Sequence, residues 1–185
     1  MDVYASFQFL VDAMQGKWQV IAPDWRGYGL SAWGPADSYW FPDYMGDLDR
    51  LLAYFQPEAP VTLIGHSMGG YIALAFAEKY PELLNSLGLF QSTAYEDDDQ
   101  KKETRKKGIE FIRNNGVNAF LKKTTPNLCS EKTKKRNPLL IENLIDTYKN
   151  SDPKVLIQYY KAMIERPDRT NILKSFKRPV LFVLG

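Results

Sequence analysis

Residues 61–70 read Val-Thr-Leu-Ile-Gly-His-Ser-Met-Gly-Gly, and this stretch decides the fold. Its apolar start predicts a buried strand, its middle a tight turn with Ser67 at the apex, and its end the first turn of a helix. Gly65 and Gly69 lie two residues on either side of Ser67, where side chains are expected to collide in so sharp a turn. This G-x-S-x-G spacing is typical of a nucleophile elbow. The turn exposes a hydroxyl beside a helix N-terminus, and the backbone N–H of Met68 is expected to face an oxyanion there.

The chain contains a single histidine, His66, and it lies inside the elbow. A serine hydroxyl is a weak nucleophile at neutral pH and needs an adjacent base, usually a histidine that a carboxylate orients. Side chains of consecutive residues diverge, so we expect His66 to hydrogen-bond within the elbow rather than to serve Ser67 as that base. The sequence therefore predicts the setting of a nucleophile without its base.

Short apolar strands alternate with amphipathic helices on both sides of the elbow, and this order predicts an α/β fold with a mostly parallel sheet. Helices are expected over residues 4–15, 43–56 and 69–80, and strands over 18–23, 61–64, 87–90 and 179–184. From about residue 95 the pattern changes to helices only, with a break expected near Asn115 and Gly116. Ser151-Asp152-Pro153 predicts a capped helix start within the same region.

The predicted organisation is a core with the elbow over residues 1–94, a helical cap over 95–175 and a return strand of the core over 176–185. A helical insertion between two strands is expected to form a lid over the strand ends. Charge changes near the same point, because residues 1–90 hold 4 basic and 10 acidic side chains whereas residues 91–185 hold 20 and 12. A packed core followed by a solvated cap explains this step, and the alternative is a junction of two related sequences near the elbow.

Composition restricts the classes of function. The chain has 185 residues, 44% hydrophobic and 25% charged, and its net charge of +2 gives no reason to expect nucleic acid or an anionic membrane as partner. No leader-like start and no apolar run of membrane-spanning length is visible in the sequence. Cys129 is the one cysteine, which suits a reducing compartment, so we expect a cytoplasmic location. A loop residue is the simpler interpretation of Cys129, and a thiol nucleophile is the alternative.

Two motifs, each after a predicted strand, together resemble the α/β-hydrolase superfamily, in particular its lidded, esterase-like members. Residues 24–31, Asp-Trp-Arg-Gly-Tyr-Gly-Leu-Ser, look like that superfamily's D-x-R-G-x-G-x-S turn. Residues 65–70, Gly-His-Ser-Met-Gly-Gly, look like its elbow. The resemblance covers nearly the whole chain.

The resemblance implies a serine hydrolase that cleaves small or medium apolar carboxylic esters. It implies that Ser67 is the nucleophile, that the Met68 N–H is one oxyanion donor, and that the turn with Tyr28 lies near the pocket. For Trp25 there are two interpretations, that it lines the pocket or that it packs near the sheet edge. A serine at this position argues against the branches of the superfamily that use a carboxylate nucleophile. No metal and no organic cofactor is implied.

The chain departs from the superfamily at both ends and is expected to be truncated there. The loop that supplies a second oxyanion amide, the catalytic acid and the catalytic base have no matching positions among these residues. The strand expected between 18–23 and 61–64 is also missing, so two apolar edges lack partners and the isolated polypeptide is expected to fold poorly or to aggregate. Two alternatives to a hydrolase remain: a non-catalytic module that binds a small apolar ligand, and a fragment or junction of hydrolases.

Two groups of charged residues carry further predictions. The aspartates at 97–99 are the remaining acid–base candidates, although a solvated loop is the simpler interpretation of them. Arg166, Asp168 and Arg169 are expected to form a surface turn whose ion pairs have little energetic effect.

Overall fold

The computed structural model describes residues 7–35 and 37–184, and these form two compact units. One unit comprises the described residues up to Glu96 together with those from Pro167 onward, and the other is Asp97–Arg166. The predicted domain boundaries at 94/95 and 175/176 stay a prediction. The start of the predicted first helix, residues 4–6, and the end of the predicted return strand, residue 185, lie outside the described residues.

The helices and strands follow the predicted alternation. Those of the first unit are α1 (Gln8–Ala13), α2 (Phe41–Phe55), β1 (Val61–His66), α3 (Met68–Lys79), β2 (Leu84–Phe90), α8 (Thr170–Ser175) and β3 (Val180–Val183). Those of the second unit are α4 (Asp99–Thr124), α5 (Glu131–Arg136), α6 (Leu139–Tyr148) and α7 (Pro153–Glu165). Helices α5 and α8 were not predicted. The sequence of α5, EKTKKR, has no apolar residue and that of α8, TNILKS, has two adjacent ones, so neither shows a helical period.

The three strands form a parallel sheet in the order β1-β2-β3. His66 lies opposite Phe90, and Phe90 lies opposite Val183, so the three strands end at the same level. Parallel neighbours need a crossover connection, and α3 supplies it between β1 and β2 while packing on both. These observations confirm the predicted α/β class with a parallel sheet flanked by helices.

Helix α3 is buried along most of its length because it is apolar on every side and rich in alanine. Small side chains let it lie close to the sheet, and α2 covers its other side. The surrounding core comprises Leu48, Ala73, Leu74, Phe76, Ala77, Leu84, Leu87, Leu89 and Ala94. This core fixes the strand and the helix that flank Ser67.

The segment 18–23 is not a strand, which contradicts the prediction. Its apolar side chains are substantially exposed, at 67% for Trp18, 41% for Val20 and 43% for Ile21. A strand needs a neighbour for its backbone hydrogen bonds, and the sheet within the described residues consists of β1, β2 and β3. The prediction relied on apolar sequence alone, whereas pairing decides whether an extended segment becomes a strand.

The second unit is helical, and α6 and α7 both pack against α4. Its core comprises Ile112, Val117 and Phe120, with partly buried aromatic and aliphatic side chains around them. Gly116 interrupts α4 with φ 79° and ψ 172°, which confirms the predicted break. The Asp152 carboxylate accepts a hydrogen bond from the Lys154 N–H at 2.7 Å, so the predicted cap of α7 is confirmed as well.

Candidate active site

Ser67 lies between β1 and α3, at the carboxyl edge of the parallel sheet. Its backbone has φ 50° and ψ −119°, a conformation that residues other than glycine rarely adopt, and the residue is exposed. Open parallel sheets bind their ligands at this carboxyl edge. The strand–turn–helix shape predicted from residues 61–70 is present, and the role of Ser67 as nucleophile stays a prediction.

The two glycines that flank Ser67 are needed to different degrees. A Cβ atom on Gly65 would stand 2.5 Å from the carbonyl carbon of Gly69 and 2.5 Å from the nitrogen of Gly70, and backbone cannot move aside cheaply. Apart from its chain neighbours and the nearby backbone of α3, a Cβ atom on Gly69 would meet no heavy atom within 4 Å. The expected collision is therefore real at Gly65 and wrong at Gly69, where the first turn of α3 leaves open space.

Hydrogen bonds with the end of β2, with Ser92 just after it and within α3 hold the elbow in place. The Ser67 N–H donates to the Phe90 carbonyl at 2.9 Å. The Ser67 carbonyl accepts two hydrogen bonds, from the Gly70 N–H at 3.0 Å and from the Ser92 hydroxyl at 2.8 Å. Sequence analysis did not identify Ser92; the available signal was a polar residue just after the strand that pairs with β1.

Met68 opens α3, so its N–H lies in the first helical turn, where backbone donors lack partners within the helix and the helix dipole favours negative charge. This amide adjoins the exposed Ser67. Its role as an oxyanion donor stays a prediction. His66 precedes them as the last residue of β1 and is half-buried. Its predicted role within the elbow stays a prediction.

Trp25 and Tyr28, the predicted pocket residues, lie in the turn formed by residues 24–31. The Trp25 ring makes an edge-to-face contact with Tyr44 at 5.6 Å between centroids and packs against the core of the first unit. The Tyr28 side chain is half-buried, and its backbone accepts a hydrogen bond from the Ser31 N–H at 3.0 Å. Trp25 thus has a packing role, and pocket lining by either residue stays a prediction.

The same turn is held by its own polar side chains. The Asp24 carboxylate accepts from the Leu30 N–H at 3.0 Å, and the Ser31 hydroxyl donates to the Asp24 carbonyl at 2.5 Å. Arg26 donates two hydrogen bonds to Asp47 on α2, at 2.7 and 2.6 Å. This contact, together with the charge of Asp47, raises the pKa of Arg26 although partial burial opposes the change. A structural turn was expected here, but Asp47 was not predicted as its partner.

The solvated loop expected at residues 97–99 is wrong for Asp97. Its side chain is 1% exposed and forms ion pairs with Arg105 and, at 2.9 Å, with Arg166, whose side chain is 3% exposed. Burial acts to raise the pKa of Asp97, but the hydrogen bonds and charges of the two guanidinium groups outweigh it and the pKa lies below its usual value. A carboxylate engaged in this way is a poor acid–base group, which removes Asp97 as the substitute base. Arg166 is likewise not the surface residue that the sequence suggested.

The neighbouring charged residues behave more as expected. Asp98 caps α4 by accepting a hydrogen bond from the Lys101 N–H at 2.7 Å. In the first unit, Arg169 forms an ion pair with the half-exposed Glu78 at 2.9 Å, and its N–H donates to the Ala94 carbonyl at 2.7 Å. Asp168 accepts two hydrogen bonds from Thr170, and they lower its pKa.

The remaining predictions concern cysteine, metals and membranes. Cys129 is half-buried and carries a free thiol. Within residues 7–35 and 37–184, no three His, Cys, Asp or Glu side chains gather as they would around a metal ion. Across the described helices, none is both long enough and apolar enough to span a bilayer.

Both motifs, residues 24–31 and 65–70, lie within a match to a known family. The family model described as alpha/beta hydrolase fold matches residues 2–127. A serine hydrolase-like protein of Danio rerio is 34% identical over 95 residues, which are 51% of this chain and 29% of that protein. A cis-3-alkyl-4-alkyloxetan-2-one decarboxylase of Shewanella oneidensis is 34% identical over 98 residues, 51% of this chain and 30% of that enzyme. The matched segments thus cover about half of this chain and under a third of each of these two relatives.

A solved structure extends the likeness over the whole chain. The thermophilic esterase of Thermogutta terrifontis superimposes with a TM-score of 0.84 and 30% identity, over 99% of this chain and 67% of the esterase. The esterase and the decarboxylase are named for different reactions.

Proposed function

This chain belongs to the α/β-hydrolase family, and from that membership we propose that it is an esterase-like serine hydrolase in which Ser67 is the nucleophile. The observation that carries the proposal is the backbone of Ser67, held at φ 50° and exposed between β1 and α3. A strained residue at the carboxyl edge of a parallel sheet supports a functional role, because strain persists only where the surroundings enforce it.

In the proposed reaction the Ser67 hydroxyl oxygen adds to the carbonyl carbon of an ester. The carbonyl electron pair moves onto its oxygen, and the Met68 N–H donates a hydrogen bond to that oxyanion. Collapse of the adduct breaks the bond to the alcohol oxygen and leaves an acyl-serine, which water then hydrolyses to the acid. The serine proton passes to a base and from the base to the departing alcohol.

The base for this step is the missing group. Residues 1–185 contain one histidine, His66, which directly precedes Ser67 on the chain. Asp97 is neutralised by two guanidinium groups. We propose that residues 1–185 alone do not turn over esters, since the acid, the base and a second oxyanion loop are lacking.

The substrate class we propose is a small or medium apolar carboxylic ester, with no cofactor. Support comes from the esterase of Thermogutta terrifontis, the solved structure described above at 30% identity. One fold hosts several reactions, and a decarboxylase is among the relatives. Roles of Trp25 and Tyr28 as pocket residues, residues 95–175 as a helical cap, and a cytoplasmic location all belong to the proposal.

A second candidate is a non-catalytic module that binds a small apolar ligand. The observation that favours it is the single histidine at position 66. Ligand-induced stabilisation without ester hydrolysis distinguishes it from the enzyme.

The deciding experiment is intact-mass labelling with a fluorophosphonate, with Ser67→Ala as control. Rapid stoichiometric labelling that the Ser67→Ala variant loses supports an activated nucleophile and contradicts the proposed lack of a base. Labelling that appears only when imidazole is added supports an oriented serine whose base is missing. A folded preparation that never labels sinks the serine-hydrolase proposal for these residues.

A further inference from the structure

We propose that Ser92 is a positioning residue that aims the Met68 amide at the oxyanion. The inference rests on the proposed function of Ser67, and it starts from one contact: the Ser92 hydroxyl donates to the Ser67 carbonyl at 2.8 Å. The two residues lie 25 positions apart in sequence.

The contact controls the Met68 amide because the Ser67 carbonyl and the Met68 N–H belong to the same peptide group. A peptide unit is planar, and in the trans form its C=O and N–H point in opposite directions. Holding the Ser67 oxygen therefore fixes the direction of the Met68 hydrogen. A hydrogen bond to the carbonyl also polarises the amide and strengthens its N–H as a donor.

Ser92 is itself held in place, so it can transmit rigidity. It is 9% exposed, and a Cβ atom on Gly70 would stand 2.5 Å from the Ser92 Cβ. The N–H of the preceding Gln91 donates to the Val183 carbonyl on β3 at 2.8 Å. The absence of a side chain at Gly70 is thus explained by the approach of Ser92, rather than by the turn at Ser67.

The contact is separable from folding. The Ser67 carbonyl keeps a second hydrogen bond, from the Gly70 N–H at 3.0 Å, when the Ser92 hydroxyl is removed. The Ser67 N–H keeps its bond to the Phe90 carbonyl. We therefore expect Ser92→Ala to fold with nearly the wild-type melting temperature while the Ser67–Met68 peptide plane becomes looser.

The first arm of the test observes the Met68 amide directly and needs no activity. Selective 15N-methionine labelling of residues 1–185 reports on at most four backbone amides, since Met1 of the 5 methionines carries an α-amino group, and Met68→Leu assigns the resonance. Ser92→Ala should shift the Met68 resonance and speed its hydrogen exchange, because the preceding carbonyl loses a donor. The matched control is Ser86→Ala, which removes a hydroxyl from β2, the strand that precedes Ser92, together with its 2.7 Å contact to Thr62. An unchanged Met68 resonance in folded Ser92→Ala overturns the proposal.

The second arm measures the rate of fluorophosphonate labelling, with imidazole present if the wild type requires it. Removing an oxyanion donor costs about 100- to 1000-fold, so a misaimed one should slow labelling by about tenfold in Ser92→Ala. Ser86→Ala should label at the wild-type rate. A wild type that does not label contradicts the proposed function, and the resonance of Met68 still decides the role of Ser92. A shifted resonance with an unchanged labelling rate overturns the positioning role.

Gly70→Ala provides a second variant in case Ser92→Ala does not fold. Its added methyl group must displace Ser92, so it should reproduce both the Met68 shift and the slower labelling. A folded Gly70→Ala protein with a wild-type Met68 resonance counts against the proposal in the same way.

Discussion

The elbow around Ser67 and the ion cluster around Asp97 are both firmly held, but by different forces. The elbow relies on neutral backbone hydrogen bonds and on the absence of a side chain at Gly65. The cluster relies on one carboxylate between Arg105 and Arg166, with the Asp97 and Arg166 side chains 1% and 3% exposed. Shape governs the first region and charge balance the second, so different changes in sequence and solvent should destabilise them.

The largest effect is expected from Asp97→Asn. Removing the carboxylate charge breaks the buried ion pair between Asp97 and the Arg166 guanidinium, which should lower the free energy of unfolding by about 3–5 kcal/mol. Asp98→Asn is the matched control, because asparagine is also a good cap and the change should stay within about 0.5 kcal/mol. Urea unfolding of both variants measures the difference. Equal urea midpoints for Asp97→Asn and Asp98→Asn would show that the buried Asp97 charge does not stabilise the fold more than the exposed Asp98 charge does.

Gly65→Ala should be the most damaging small change in the elbow. Its methyl group would press on the backbone of Gly69 and Gly70, and such overpacking should lower the free energy of unfolding by about 2–3 kcal/mol. Gly69→Ala makes the same chemical change where the structure leaves room, so it should be neutral or slightly stabilising. Thermal melts of the pair test this, and a Gly69→Ala protein as unstable as Gly65→Ala would contradict the steric explanation.

Acid should separate the two regions further. The folded-state pKa of Asp97 lies below its usual value: burial pushes it up, but Arg105 and Arg166 lower it more. The unfolded chain therefore binds the proton first, so the stabilisation by this carboxylate is complete above about pH 4 and is lost as pH falls through the folded-state pKa. The difference in unfolding free energy between wild type and Asp97→Asn should shrink below about pH 4. The difference in unfolding free energy between wild type and Gly65→Ala should not depend on pH. If both differences varied with pH in the same way, the lowered folded-state pKa of Asp97 would not be the cause.

The smallest effect is expected outside both regions, at Ile21. This side chain is 43% exposed in the unpaired segment 18–23, so Ile21→Thr should change the free energy of unfolding by no more than about 0.5 kcal/mol. Exposed apolar segments favour association, so the variant should scatter less light at high concentration than wild type. A large loss of stability would mean that Ile21 has a partner that makes it part of the core.

A sharp, reversible melt of monomeric wild type would contradict the expected poor folding.

The features that the sequence predicted well are those whose cause lies within a few residues. The elbow, α3 and the break at Gly116 follow from local spacing, apolar pattern and glycine chemistry. Segment 18–23 looked equally clear, yet its strand status depended on a neighbour that no local pattern reports.

Most contacts that the sequence missed join distant positions. Ser92 reaches Ser67 across 25 residues, and Arg26 reaches Asp47 across 21. Asp97 and Arg166 are the first and the last residue of the second unit in sequence, and yet their side chains form an ion pair. From sequence alone, charged and polar residues at such positions are interpreted as exposed surface residues, because their partners are adjacent only in the folded chain.

The pairing of Asp97 with Arg166 has a consequence for how the chain can vary. These are the first and last residues of the second unit, and the Ala94 carbonyl and Arg169 N–H are bonded at 2.7 Å just outside it. From the first unit, the residues between Ala94 and Arg169 leave and return as one closed loop. Doubling the length of such a loop costs only about 0.6 kcal/mol in conformational entropy. Evolution can therefore lengthen, shorten or exchange the inserted helices at small thermodynamic cost, provided that the few residues closing the loop are kept.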